Sequence, residues 1–201
     1  MYVGPWICPY PAWWIVIGEM RIDGTKVYVR LLEPADEAAL IELRTRNKEF
    51  LRPWEPVRDA GHPPEGVRQV QLRRAVSDAV RDRAYALGIF TPDDVLIGTV
   101  TLSNVVRGAW QNATLGYFVD EHHNGRGFAT EAIGLAAELA FTELGLHRVQ
   151  AAVMPRNPGS LRALEKAGFR HEGESLRYLQ IAGVWEDHLV LALTAEDPRP
   201  R

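Results

Sequence analysis

Cysteine is nearly absent: Cys8 is the only one in the chain. That excludes an internal disulfide framework and a multi-cysteine zinc site, and it points to a reduced, cytoplasmic setting. No zinc-like His/Cys spacing occurs either, so no metal is expected. A large excess of either charge is also missing, with 23 Lys and Arg against 26 Asp and Glu. The net charge of -3 gives no field that would draw the whole protein to nucleic acid or anionic lipid, so neither is an expected partner. No basic start with a small-residue cleavage site marks a signal peptide, and the proline-broken apolar stretch at the start is too short to span a bilayer. No Gly-x-x-x-x-Gly-Lys-Ser/Thr occurs, which excludes the nucleoside-triphosphate loop. Repeats, low-complexity blocks and linkers are missing. What is present is the composition of an ordinary soluble globule, 46% hydrophobic and 24% charged. A length of 201 residues suits one domain with a sizeable core.

The first nineteen residues stand apart. Tyr2 to Gly18 carries no charge and holds Pro5, Pro9, Pro11, Trp6, Trp13 and Trp14. One reading is an extension upstream of a true start at Met20. The other is a tail packed on a hydrophobic surface such as a partner subunit, which makes a homodimer one expectation. The expected divisions are 1–19 as extension, 20–195 as a single domain and 196–201 as tail.

Within the domain, periodicity predicts seven strands and four helices. Lys26 to Leu32 reads as a strand. Pro34 and Asp36 open a helix to about Asn47, striped by Ala39, Leu40 and Leu43. Pro53 and Pro56 then predict an extended loop that presents Trp54 and Glu55. Trp54 is either a core anchor or one wall of an acceptor pocket. After a turn at His62-Pro63-Pro64-Glu65-Gly66 comes a helix to about Arg83. Its arginines (Arg68, Arg73, Arg74, Arg81, Arg83) suggest a nucleic-acid face. Asp78, Asp82 and the stripe Val67, Val70, Val76, Val80 favour a solvated amphipathic face instead. Strands Tyr85–Phe90, Val95–Val105 and Trp110–Val119 follow, antiparallel because their connections are short. A helix through Leu144 ends at Gly145, and a strand His147–Met154 can pair in parallel after that crossover. Asn157 and Pro158 have the chemistry of an N-cap and a first helical residue, and Gly168 ends that helix. A closing hairpin, Phe169–Ile181 and Val184–Thr194, turns at Ala182-Gly183.

The chemistry concentrates at His122-His123-Asn124-Gly125-Arg126-Gly127-Phe128-Ala129-Thr130-Glu131, between a strand and a long apolar helix. The first N–H groups of a helix lack intrahelical partners, and the macrodipole places partial positive charge there. Gly125 and Gly127 allow a tight turn and remove Cβ atoms that would hold a phosphate away, and Arg126 can add a charged contact. The dinucleotide fingerprint fits poorly, because its third small position falls on Thr130 and no acidic residue ends a second strand about 20 residues on. A plain strand–turn–helix connection is the competing reading. The adjacent His122 and His123 suit solvent better than metal.

Together, these residues resemble the GCN5-related N-acetyltransferases (GNAT). The resemblance rests on His122-x-x-Gly125-x-Gly127-x-Ala129, on Asn157-x-x-Ser160-Leu161-x-x-Leu164-Glu165-Lys166-x-Gly168-Phe169, and on Gly116-Tyr117-Phe118-Val119. It spans about Lys26 to Thr194. Phe50-Leu51-Arg52-Pro53-Trp54-Glu55-Pro56, Leu146-His147-Arg148-Val149 and Trp185-x-Asp187-His188 are similar to the ribosomal-protein-alanine branch of RimJ/RimL type. The implied fold is mixed α+β, with a mostly antiparallel, splayed central sheet of about seven strands flanked by about four helices.

The resemblance also implies acetyl-coenzyme A as donor. Its pyrophosphate would lie on amides between Asn124 and Ala129, including Gly125, Arg126, Gly127 and Phe128, with Thr130 near the helix start. Its pantetheine arm would pair with Phe118 and Val119 like an added strand. Asn157 and Ser160 would approach the thioester from the far side, with Ser160 as the acid and an N–H near Val119 as oxyanion donor. Ser160 is equally explained as a polar residue in a capped first turn. The base is open. The family often has a glutamate around Gln180, and glutamine cannot exchange a proton, so Asp187, Glu186 and Glu55 are the remaining choices. Asp187 has an alternative reading, in which it orients Arg177 or a backbone group. His122 replaces the family's usual glutamine or arginine. The implied acceptor is an amine, foremost a protein N-terminus such as that of a ribosomal protein, with Trp54 and Glu55 at its pocket. An aminoglycoside or polyamine acceptor, or an acyl-coenzyme A-binding module without turnover, are the alternatives.

Overall fold

Alternating apolar residues build one sheet whose two faces are both covered. The computed structural model describes residues 20–56 and 66–199. The readings made for residues 1–19, for the His62–Glu65 turn, for the side chains of Val67, Arg68, Val70 and Arg73, and for the last two residues of the tail lie outside the described residues. Eight strands are described: β1 (Arg21–Asp23), β2 (Tyr28–Leu31), β3 (Tyr85–Phe90), β4 (Leu96–Val106), β5 (Asn112–Val119), β6 (Arg148–Val153), β7 (Arg170–Ile181) and β8 (Val184–Thr194). Their order is β1-β2-β3-β4-β5-β6-β8-β7. Only β5 and β6 run parallel. The strand beyond the expected seven is β1, whose three residues pair with Tyr28–Arg30 and are too few to show a period.

Among the described residues five helices flank the sheet: α1 (Glu37–Arg46), α2 (Lys48–Leu51), α3 (Gly66–Val80), α4 (Phe128–Thr142) and α5 (Pro158–Lys166). The extra one, α2, corrects the expected extended loop. Its turn continues as a 3-10 turn, Arg52–Trp54, and the chain becomes extended only at Glu55. Pro53 sits in the first turn of that element, where a missing N–H removes no bond. The inner face of α3 is likewise set by Leu72 and Ala79, not by Val76 and Val80, which are more than a third exposed. In α1, Leu43 is buried and Ala39 is exposed.

Tyr28, Leu32, Phe90 and Phe118 form one face's core with Leu43, Leu51 and Leu72. Tyr85, Leu87, Ile89, Leu102, Leu115 and Val119 form the other with α4 and α5. In α4 the buried set Ala132, Ile133, Leu135, Ala136, Ala137, Leu139 and Ala140 is wider than a surface stripe. Its alanines let the helix lie close to the sheet. Ile133 and Leu139 are fully buried, each contributing about 1.5–3 kcal/mol. The start of α5 is as its sequence predicts, with Asn157 Oδ1 accepting from Ser160 N at 3.1 Å and Pro158 in the first turn. It ends in a Schellman motif: Gly168 lies at φ +94°, Phe169 N–H donates to Leu164 O, and Gly168 N–H donates to Glu165 O. Ala182 and Gly183 both take positive φ and turn the β7–β8 hairpin. The tail is tied down at Asp197, which accepts from Thr194 N and Oγ1 and pairs with Arg170.

The parallel seam positions the site. Asn112, Ala113 and Thr114 of β5 pair with Arg148, Val149 and Gln150 of β6. Beyond Thr114 that pairing stops. The rest of β5 stays with β4, with Gly116–Val119 opposite Thr101–Gly98, while Ala151–Val153 stays with β8. The two strands part, and one edge of β5 beyond Leu115 has no described strand paired to it.

Candidate active site

A cavity of about 540 Å³ opens where β5 and β6 part. One wall is the open end of β5, with Tyr117, Phe118 and Val119. A second is the Asn124–Thr130 loop and helix start, and a third is the start of α5, with Asn157 and Ser160. Trp54 closes the side formed by the 3-10 turn. Thus segments more than 100 residues apart in sequence converge on one space.

The loop is held from below. Asp120 is buried and binds the Arg46 guanidinium at 2.9 Å. Burial pushes its carboxyl up, but the Arg46 guanidinium, the Asn47 amide and the His122 N–H outweigh burial and hold it below the ordinary carboxylate range. Asn47 Oδ1 accepts from Glu121 N at 2.9 Å. The chain then makes a short 3-10 turn, Glu121–His123. His122 is exposed, as expected. His123 corrects the solvent reading: its Nδ1 lies 3.2 Å from Asp120 Oδ2, its ring packs on Phe128, and it lines the cavity.

Gly125 and Gly127 follow at φ +78° and +84°. Gly127 is the N-cap of α4 and offers no side chain to it. No backbone N–H from Gly125 through Thr130 donates to another described residue. A Cβ at Gly125 would meet nothing within 4 Å, so the concavity there is open. Free amides, a helix N-terminus and open space suit a phosphate. Cations surround it. Lys26 Nζ reaches the loop from the β1–β2 turn and donates to Arg126 O at 3.0 Å, and Arg162 and Lys166 of α5 line the cavity. Glu131 fastens the same turn, accepting from Thr25 N at 2.5 Å and from Lys26 N at 3.0 Å. The roles of Lys26, Arg162, Lys166 and Glu131 at the loop escaped the sequence reading, since only the fold brings them there.

On the other side, Trp54 and Glu55 are fixed by distant partners. Arg156 stands 5.2 Å over the Trp54 ring, donates to Pro53 O and pairs with Glu186 at 2.9 Å. Glu55 pairs with Arg44, and its carbonyl accepts from Ala182 N at 3.1 Å. Arg44 also lies 4.4 Å over the Phe118 ring. Ser160 Oγ lies 2.8 Å from the Tyr117 hydroxyl. Asp187 is away from the cavity lining: its carboxylate accepts from Arg177 N at 2.7 Å, where Arg177 takes φ +50° in a bulge of β7. Arg126 likewise contributes its backbone to the loop and is not among the cavity-lining residues. Among the described residues no group of three or more His, Cys, Asp or Glu is placed to hold a metal.

Residues 26–170 match the family model described as an acetyltransferase (GNAT) domain. The chain belongs to the GNAT acetyltransferase family. Over 178 residues it is 46% identical to the probable N-acetyltransferase YjcK of Bacillus subtilis, covering 88% of this chain and 98% of that protein. Over 185 residues it is 35% identical to the [ribosomal protein uS5]-alanine N-acetyltransferase of Escherichia coli, covering 92% and 95%. Its fold is similar to that of Mycobacterium smegmatis RimJ in complex with CoA-disulfide, with a TM-score of 0.78, 34% identity and coverage of 85% and 82%. The chain is an N-acetyltransferase with the mixed α/β GNAT fold, and the parted strands and glycine loop are the parts of that fold where the cavity lies.

Proposed function

We propose that the chain transfers acetyl from acetyl-coenzyme A to the α-amine of a protein N-terminus, that of a ribosomal protein, in the cytoplasm. The observation that carries this is the coincidence, in one cavity, of unpaired β5 backbone and free amides at the Gly125–Thr130 loop. A diphosphate bound by those amides and a pantetheine arm paired with Phe118 and Val119 would satisfy both sets of groups. Lys26, Arg162 and Lys166 add charge for the phosphates. Similarity to the uS5-alanine enzyme supports the acceptor class.

The chemistry asks little of a base. A free α-amine has a pKa near 8, so roughly a fifth is neutral at pH 7.4 and water takes the proton. Glu55 and Glu186, paired with Arg44 and Arg156, shape the acceptor side with Trp54. Asp187 supports the β7 bulge beside it. The neutral nitrogen attacks the thioester carbonyl, an N–H at the open end of β5 near Val119 receives the oxyanion, and Ser160 protonates the departing sulfur. Asn157 holds Ser160 in place through its amide.

Thiol release tests the acceptor, using alanine-headed peptides, polyamines and aminoglycosides with acetyl-coenzyme A. The alanine-headed peptide should give the highest kcat/KM. A faster polyamine or aminoglycoside, or turnover of none, would overturn the acceptor class.

A further inference from the structure

We infer that Tyr117 is a positioning residue for departure of the thiol: its phenol donates to Ser160 Oγ and turns the serine proton toward the cavity. The inference rests on Ser160 acting as the acid. Tyr117 lies in the open half of β5, and its side chain crosses the parted seam to the first turn of α5. There the phenol oxygen is 2.8 Å from Ser160 Oγ and 3.2 Å from Ser160 O. The backbone of the serine is fixed at the helix start, because its N–H donates to Asn157 Oδ1.

One phenol proton therefore has two acceptors. Donated to the carbonyl, it leaves the phenol oxygen to attract the serine proton, which then points away from substrate. Donated to Oγ, it leaves the serine proton as the one free to face the cavity. Negative charge developing on sulfur favours the second arrangement. Burial pushes the phenol up to about 12, against the opposing pull of the Ser160 hydrogen bond, so it stays protonated and remains a donor through the working pH range.

The proton count closes. The C–S bond breaks with its electron pair on sulfur, Ser160 gives its proton to sulfur, and the Tyr117 proton moves onto Ser160 Oγ. Tyr117 is restored from water, which has taken the proton lost by the amine. The net change is one proton moved from nitrogen to sulfur.

A tyrosine that only filled the seam would show no such coupling, so a double-mutant cycle separates the two. The probe is acetyl-coenzyme A with an alanine-headed peptide, or the fastest amine of the panel if that is another. Ser160→Ala and Tyr117→Phe should each lower kcat about 100-fold, the lower end of the usual range for general acid catalysis, at unchanged KM for acetyl-coenzyme A. The double variant should be no slower than Ser160→Ala. Wild-type kcat in Tyr117→Phe, or losses that multiply in the double variant, would overturn the inference. Wild-type kcat in Ser160→Ala would overturn the acid assignment beneath it. A near-isosteric replacement covers poor folding of Tyr117→Phe. With 3,5-difluorotyrosine at 117 the alkaline fall of kcat should move down into the measurable range, and an unmoved profile would again contradict the inference.

Discussion

The two ends of β5 make the most useful comparison in the molecule. Asn112–Thr114 has partners on both edges, β4 across a bulge on one side and β6 on the other, whereas Leu115–Val119 pairs with β4 alone. The first end is ordinary sheet, stabilised by paired backbone and a dry core. The second leaves strong donors and acceptors open beside a cavity, which costs free energy unless water or a ligand meets them. Under the proposed function, stability and coenzyme A binding divide along one strand, and variants should divide in the same way.

The largest expected effect falls on the closed end and on folding alone. Leu193 lies opposite Val149 on β8 and is fully buried. Leu193→Ala should cost about 3 kcal/mol, or roughly 6–12 °C in Tm, by calorimetry. The Kd for coenzyme A in the folded protein should not move. A matching loss of affinity would erase the division.

Next comes the open end. Gly127→Ala forces a side chain into a φ of +84° and toward Lys26 Nζ, 3.0 Å away. Left-handed backbone costs an ordinary residue about 1–2 kcal/mol, so calorimetric Kd for coenzyme A should rise about tenfold. Lys26→Ala removes a surface cation and its bond to Arg126 O. A rise in Kd of about threefold to fivefold is expected, shrinking in high salt.

The smallest effect is a pH dependence beneath the loop. The Asp120 carboxyl titrates lower in the folded chain than its ordinary 3.8. The folded state therefore binds fewer protons, and its added stability is present above about pH 4 and lost as the pH falls through the depressed folded value. Tm of the wild type should fall over that window, and Asp120→Asn should show a flatter acid limb.

Much of this was legible where local chemistry decides. Asn157-Pro158 announces a helix start, Gly168 its end, Ala182-Gly183 a hairpin, and Gly125 with Gly127 a loop with bare amides. Where tertiary packing decides, the sequence is silent or misleading. Pro53 reads as a helix breaker yet sits in a helical turn. Val76 and Val80 keep helical spacing but lie off the buried face. Glu131 serves amides 105 and 106 residues away, and nothing near it signals that. Tyr117 was visible within Gly116-Tyr117-Phe118-Val119, but its bond to Ser160 exists only because β5 parts from β6 beside the start of α5.

Amide hydrogen exchange, with and without coenzyme A, tests the division most directly. Binding should slow exchange at Phe118, Val119 and Gly125 through Thr130, and leave Asn112–Thr114 unchanged. Protection absent from the loop and the open end of β5, with coenzyme A bound, would contradict the account.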